Sequence, residues 1–221
     1  MPIDTKTLHR IPLFAALSME DLTPIAAMTI ERHYERGDII LHEGDPGGAL
    51  YYVHSGLVKV FKLSSSGKEQ VLRLISTGYT FNDVPALDGG PNPASAAALE
   101  ASVVYMIGRA ELRKLIRSHP AVAEAVVNSL AGALRHLVML VEDISLRHVT
   151  ARIAKILLEQ DTLHAGHAHQ FTQQEMAALA GTAREVVGRS LKELEMAGAI
   201  EMRQGRAIVL NRDRLRVLAS S

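Results

Sequence analysis

Late in the chain, Arg184, Glu185, Arg189 and Lys192 stand close together with Gly188 among them. Arginine's planar fork matches the O6/N7 pair of guanine, and a glutamate can accept from the N4 amine of cytosine. Two arginines and one glutamate within two helical turns can therefore read a G/C-containing stretch of duplex DNA. Glycine at 188 leaves room for the backbone to approach the duplex. Taken alone, the run would pass equally for a solvated charged face. Its surroundings decide between the two.

Upstream, Thr172 followed three residues on by Glu175 forms a capping box, and Met176, Leu179 and Ala180 supply the buried face of a helix ending at Gly181. A second helix is expected over 183–196, with Val186, Val187, Leu191 and Leu194 inward and the charged set outward. Two helices joined by a short glycine turn are the helix-turn-helix signature, the second being presented to the major groove. Residues 200–210 read as a hairpin, which makes the motif winged. Thr172, Gln173 and Thr182 join Arg184, Glu185, Gly188, Arg189 and Lys192 as the expected DNA-contact set.

Other candidate chemistry is sparse. His164, His167 and His169 could ligate a metal, since imidazoles suit zinc, nickel or copper, but a flexible polar loop explains them more simply, and no metal is assigned. No Ser/His/Asp constellation, phosphate loop or acid pair occurs at a useful spacing, so an enzyme is not expected. Cysteine is absent, which excludes disulfides, thiolate zinc sites, cysteine-ligated iron–sulfur clusters and thiol redox switches.

The elements that must position these residues follow from composition and pattern. The 221 residues are 48% hydrophobic and 22% charged, ordinary values for a soluble globular chain. No apolar run approaches the roughly 18–20 residues of a membrane span, and the N-terminus does not read as a secretory signal, so a cytoplasmic protein with no membrane partner is expected. From Leu146 onward there are 11 Lys+Arg against 8 Asp+Glu, a net of +3, and the preceding part carries −3. A basic C-terminal part on an acidic body suits a DNA-binding module attached to something else.

Residues 8–30 read as short helices, with Ser18 to Asp21 as a cap and acidic first turn. From 31 to 107 short β-rich runs alternate with Gly37, Gly44, Gly56, Gly67 and Gly78, a pattern of repeated antiparallel strands fitting a sandwich or jelly-roll barrel. Residues 120–149 read as one long helix, continued over 149–163. Val126, Leu130, Ala133, Leu137, Leu140 and Ile144 form an a/d seam along it, which points to a parallel two-helix homodimer interface. The expected domains are 1–119 as sensor barrel with N-terminal helices, 120–149 as dimerisation helix and 150–221 as winged helix-turn-helix.

This order of parts resembles the catabolite-activator and fumarate–nitrate regulator (Crp/Fnr) superfamily of bacterial transcription factors. The resemblance is carried by Glu35-Arg36-Gly37-Asp38, His42-Glu43-Gly44-Asp45, the run from Tyr51 through Gly56, and the run from Gly181 through Arg189. It implies an α+β chain with a cyclic-nucleotide-binding-like β-barrel (jelly roll), a long dimerisation helix and a C-terminal winged helix-turn-helix. It implies double-stranded DNA and RNA polymerase as partners. In the catabolite-activator type an Arg-Glu-x-x-x-Arg arrangement reads TGTGA half-sites, and Arg184, Glu185 and Arg189 match it. The fumarate–nitrate type carries Glu-x-x-Ser-Arg, and here Gly188 replaces that serine.

At the sensor end the pattern departs. Cyclic-nucleotide-binding members hold the ribose with Gly-Glu-Leu and the phosphate with the arginine of Arg-(Ser/Thr)-Ala. Here Asp83 stands where glutamate would be, and Asn92 or Pro93 where arginine would be. Phe81, Asn82, Asp83, Asn92 and Ser95 are the candidate effector-pocket residues. Without a cation to replace its hydration, a cyclic phosphate would be poorly held, so tight cyclic AMP binding is not expected. The effector is otherwise open. Haem-based gas sensing would draw on His33, His42, His54, His136, His148 or Pro2, and the chain could also act without a ligand. A cyclic-nucleotide-responsive regulator, or a small-molecule-binding module acting through protein contacts, are the alternatives.

Overall fold

A computed structural model of the protein describes residues 3–163 and 170–220. The chain divides into two compact units, Met1–Phe61 with Arg73–His136, and Lys62–Leu72 with Leu137–Ser221.

The first unit opens with α1 (Thr5–His9), a 3-10 turn (Pro12–Phe14) and α2 (Met19–Met28). Ser18 caps α2 as expected: its Oγ accepts from the Asp21 amide at 3.2 Å, and its own amide donates back to the Asp21 carboxylate. Eight strands follow, β1 (Ile30–Tyr34), β2 (Ile39–Leu41), β3 (Ala49–Ser55), β4 (Leu57–Leu63), β5 (Glu69–Ser76), β6 (Thr80–Phe81), β7 (Ser95–Ala98) and β8 (Ser102–Gly108). The short helix α3 (Asp83–Asp88) lies between β6 and β7. The strands form two four-stranded sheets, ordered β1-β8-β3-β6 and β2-β7-β4-β5. The five glycines that punctuate the sequence all adopt positive φ, between 79° and 96°. Gly56 is also sterically required, since a Cβ there would lie 2.2 Å from Ser102 Oγ.

Strand alternation sorts the core into two layers. Val53 and Val104 face inward between the sheets, with Leu41, Val58, Ile75, Phe81 and Ala96. Their neighbours Tyr52 and Tyr105 face the other way, against Leu8, Ile11, Phe14 and Leu22 of the N-terminal segment. Leu112 and Leu115 of α4 (Arg109–Ser118) and Val122 of α5 (Pro120–Leu146) complete this outer layer.

α5 ends three residues earlier than its pattern suggests. The Arg152 guanidinium donates to the carbonyls of Asp143, Ile144 and Arg147, satisfying acceptors at and just beyond the end of the helix. α6 (Val149–Leu163) therefore starts as a separate helix. Asp143 makes ion pairs with Arg147 and Lys155, and Arg147 also donates to the Ala219 carbonyl. By length and apolar composition α5 does meet what a membrane span requires, unlike the expectation from uninterrupted apolar runs. Its first turn is nevertheless packed into a folded core through Val122, and its last turns are ion-paired through Asp143.

The second unit continues with α7 (Gln173–Ala180), α8 (Arg184–Met196), the antiparallel pair β9 (Ile200–Arg203) and β10 (Arg206–Val209), and α9 (Arg212–Ala219). Its buried side chains include Ile153 and Leu157 of α6, Met176 of α7, Val187, Leu191 and Leu194 of α8, and Leu215 of α9.

Candidate nucleic-acid interface and effector pocket

The capping box forms as the sequence indicates. Thr172 Oγ1 accepts from the Glu175 amide at 3.2 Å, and the Thr172 amide donates to Glu175 Oε2 at 2.7 Å. Met176, Ala177, Ala178 and Ala180 are the buried residues of α7, while Leu179 is only half-buried. Gly181 closes the helix at φ 65°, and the next amide, of Thr182, returns to the Ala177 carbonyl at 3.0 Å. This reversal aims α8 outward. No side chain caps α8, whose N-cap is Ala183. Its first amides therefore lend partial positive charge to that end.

Arg184, Glu185, Arg189 and Lys192 are exposed on α8, and Gly188 is partly exposed among them. At 100° per residue the five positions span an arc of about 140°. Val187, Leu191 and Leu194 are buried on the opposite side, with Val186 at the border. A Cβ at Gly188 would meet only Gln173 Oε1, at 3.8 Å. Packing within the chain thus does not demand glycine there. The same contact brings Gln173 of α7 beside the α8 surface, so two members of the expected set meet across the turn.

Three residues absent from the sequence-based set orient α8. The Thr150 hydroxyl on α6 donates to Glu193 Oε2 at 2.6 Å and lies 3.1 Å from the buried Ser190 Oγ. A buried serine in an apolar helical face was the available signal, but its partner lies 40 residues away. On the wing, Arg203 and Arg206 are directly opposed across the turn at Gln204 and Gly205. Glu201 neutralises Arg203 at 2.7 Å, and that hydrogen bond holds the glutamate below the usual carboxylate range.

The candidate effector residues gather around α3. Phe81 is buried and stacks on Tyr51, with ring centroids 5.1 Å apart. Asn82 adopts the left-handed conformation at φ 63°, which asparagine tolerates better than most residues. Its amide nitrogen donates to the Ala49 carbonyl and to Asn92 Oδ1, both at 3.1 Å. Asn92, itself buried, donates from its side chain to the His42 carbonyl at 3.1 Å. Its backbone pairs with Gly44 and Asp45. Ser95 Oγ accepts from the Glu43 amide at 2.9 Å. Burial pushes the Asp83 carboxyl above its ordinary range, while the Thr80 hydroxyl, donating to it at 3.0 Å, and the field of Arg73 pull it back. Asn82 and Asn92 are thus bonded to each other, whereas Asp83 and Ser95 are engaged by Thr80 and by the Glu43 amide.

The described histidines are spread over separate surroundings. His33 pairs with Glu31 at 2.8 Å, His54 stacks on Tyr105, and His42 and His148 are exposed. No group of three His, Cys, Asp or Glu with metal-binding geometry occurs among the described residues. Pro2, His164, His167 and His169 lie outside them.

On α5 the exposed large apolar side chains are Val127, Leu134, Val138 and Val141, each about 60% exposed, with Leu137, Met139 and Ile144 somewhat less so and Leu146 at the helix end more so. Leu130, Ala133 and Leu140 are partly covered, and Val126 packs against the core of the first unit. Of the expected seam, Leu137 and Ile144 are exposed, and the more open Val127, Leu134, Val138 and Val141 lie on the adjoining face of the helix.

Two family models match the chain, a cyclic nucleotide-binding domain over residues 31–119 and a Crp-like helix-turn-helix domain over 151–218. A cyclic AMP receptor protein of Thermus thermophilus is 34% identical over 194 residues, covering 88% of this chain and 90% of its own. A CRP-like cAMP-activated global transcriptional regulator of Mycobacterium tuberculosis is 29% identical over 197 residues, covering 85% of this chain and 88% of its own. Among solved structures, FixK2 from Bradyrhizobium japonicum superposes with a TM-score of 0.76 at 26% identity, covering 87% of this chain and 98% of that one.

Proposed function

The chain belongs to the Crp/Fnr superfamily of bacterial transcription regulators, and from that premise we propose that it acts as a homodimer reading a TGTGA-like palindrome. The observation that carries this reading is the exposed set Arg184, Glu185 and Arg189 on one face of α8, above an apolar face anchored by Val187, Leu191 and Leu194. Arg184 and Arg189 are assigned to guanines, Glu185 to a cytosine amine, and Gln173 and Lys192 to the flanking backbone. The open stripe from Val127 to Ile144 is the surface for the second copy. RNA polymerase is the expected protein partner, as the superfamily implies, in a cytoplasmic setting.

The sensor pocket favours action without a nucleotide. Asn82 spends its amide donors on the Ala49 carbonyl and on Asn92 Oδ1, and Asn92 donates in turn to the His42 carbonyl. A cyclic phosphate entering there would have to displace these bonds while facing the Asp83 carboxylate, with Asn92 or Pro93 where the phosphate-binding arginine of the family's motif would stand. The names of the two curated relatives favour a second reading, a regulator that answers to cyclic AMP. Calorimetry separates them, since micromolar affinity for cyclic AMP overturns the first.

The DNA reading is tested by anisotropy with full-length protein and duplexes bearing two TGTGA half-sites. Their centres should be about 10 base pairs apart, one turn of the duplex. Inserting about half a turn between them should abolish tight binding, whereas scrambled DNA should bind only weakly and with strong salt dependence. Equal affinity for all three duplexes overturns the proposal.

A further inference from the structure

A second basic surface lies outside the helix-turn-helix, on α4. Arg113, Lys114 and Arg117 are exposed and, with Ala110 and Ser118, line a concavity of about 460 Å³. Their spacing is that of one helix face. Leu112 and Leu115 turn into the core, and the Glu111 carboxylate sits back beside Gly108. Among the described residues no ion pair is recorded for any of the three cations. His119, just beyond, is engaged with Asp21 at 3.3 Å. Three uncompensated charges thus stand within about a turn and a half, in the part of the chain whose net charge is negative.

The chemistry of the lining selects a polyanion. Exposed charges are screened over about 8 Å at physiological salt, so a single small anion gains little there. An acidic protein surface would need an apolar anchor at the centre of its contact, and the only apolar lining residue is Ala110. A nucleic-acid backbone needs no such anchor, because each neutralised phosphate releases condensed counterions. Arg113 and Arg117 are about 6 Å apart along the helix axis, a rise over which one DNA strand presents about two phosphates.

We propose that this face of α4 is a sequence-independent contact for the phosphate backbone of duplex DNA flanking the recognised site. The inference rests on the DNA-binding reading of α8 and adds a contact made by the sensor unit.

The test compares full-length protein on two duplexes carrying the same palindrome, one ending close to the half-sites and one extended by about two helical turns on each side. For the wild type, the slope of log Kd against log salt should be steeper on the extended duplex, by up to about 3 for each protomer engaged. The variant R113Q/K114Q/R117Q should bind the short duplex like the wild type and lose the added slope on the long one. The charge-conserving variant R113K/R117K should retain it, which separates loss of charge from loss of fold. Equal slopes for the wild type on both duplexes overturn the proposal. So does a triple variant that binds both duplexes normally yet fails to activate transcription, the result an acidic protein partner would produce. Failure of the wild type to bind the short duplex overturns the α8 reading and this one with it.

Discussion

Asn82 and Asn92 meet side chain to side chain across α3, the amide nitrogen of the first donating to the amide oxygen of the second at 3.1 Å. The pair then reaches in two directions, to the Ala49 carbonyl on β3 and to the His42 carbonyl after β2. Three segments distant in sequence are stitched together by two neutral side chains. An arginine at the same place would leave a cation free to recruit an anion, whereas the amides leave no charge to be answered.

Asn92→Ala should therefore lower stability. It removes the donor to the His42 carbonyl and the acceptor of Asn82, while the backbone bonds of residue 92 to Gly44 and Asp45 persist. Unmaking buried hydrogen bonds of this kind costs about 1–3 kcal/mol, which at this chain length is a fall of roughly 2–4 °C in Tm per kcal/mol. A double-mutant cycle with Asn82→Gly should give a coupling of about 0.5–3 kcal/mol. Strict additivity in thermal unfolding would show that the two amides do not act together.

Asp83 makes a pH-dependent prediction. Burial raises its pKa, and a carboxyl whose folded pKa lies above its unfolded value binds protons more tightly in the folded state. Its favourable contribution is thus complete below the unfolded value and is lost as pH rises through the folded one. Asp83→Asn keeps an acceptor for the Thr80 hydroxyl and removes the charge that burial disfavours. The variant should melt higher than the wild type at neutral pH, with the difference closing as pH falls toward the ordinary carboxylate range of about 4. A difference of opposite sign, or one independent of pH, contradicts the assignment of burial as the dominant cause.

How much of this was legible in the sequence depended on distance along the chain. The Thr172–Glu175 box, the turn at Gly181 and the positive-φ glycines from Gly37 to Gly78 are local, and each was readable from residue type and spacing. The end of α5 was not, because it is met by Arg152, a residue of the following helix that donates to two carbonyls of the last turn and to that of Arg147 just beyond it. Periodicity placed an apolar stripe on α5 but could not show that Val126 packs against the core of the first unit while Val127 is open. The Asn82–Asn92 pair and the Thr150–Glu193 bond are made through space, by residue types that are common in ordinary loops and helices.

The open apolar stripe of α5 is testable at Leu134, which is 62% exposed in the single chain. Leu134→Glu should cost the isolated fold little and should convert a dimer to a monomer in light scattering, with DNA binding becoming weaker and steeper in protein concentration. Val126→Glu should behave differently, because Val126 packs against the core and a carboxylate there is desolvated. It should lower Tm. If Leu134→Glu remains dimeric, the second copy does not sit on this stripe.

Arg189 offers the sharpest test of base reading. It lies on the exposed face of α8, one turn beyond Glu185, with no packing role in the unit's core. Arg189→Ala should then leave thermal stability unchanged within about 0.5 kcal/mol, as is usual for surface positions. A bidentate contact to guanine O6 and N7 is worth about 1–3 kcal/mol of discrimination, so binding to the intact palindrome should weaken by roughly 5- to 150-fold. The loss should be confined to one base pair in each half-site. Replacing that guanine should cost the wild type heavily and the variant almost nothing, and the two proteins should bind the substituted duplex alike. Lys192→Ala provides the contrast, because a phosphate contact should weaken binding uniformly across sequences and lower the salt slope by about 1 per protomer. If Arg189→Ala instead weakens binding equally on specific and scrambled DNA, its guanidinium contacts the backbone, and the TGTGA-like assignment loses its second arginine.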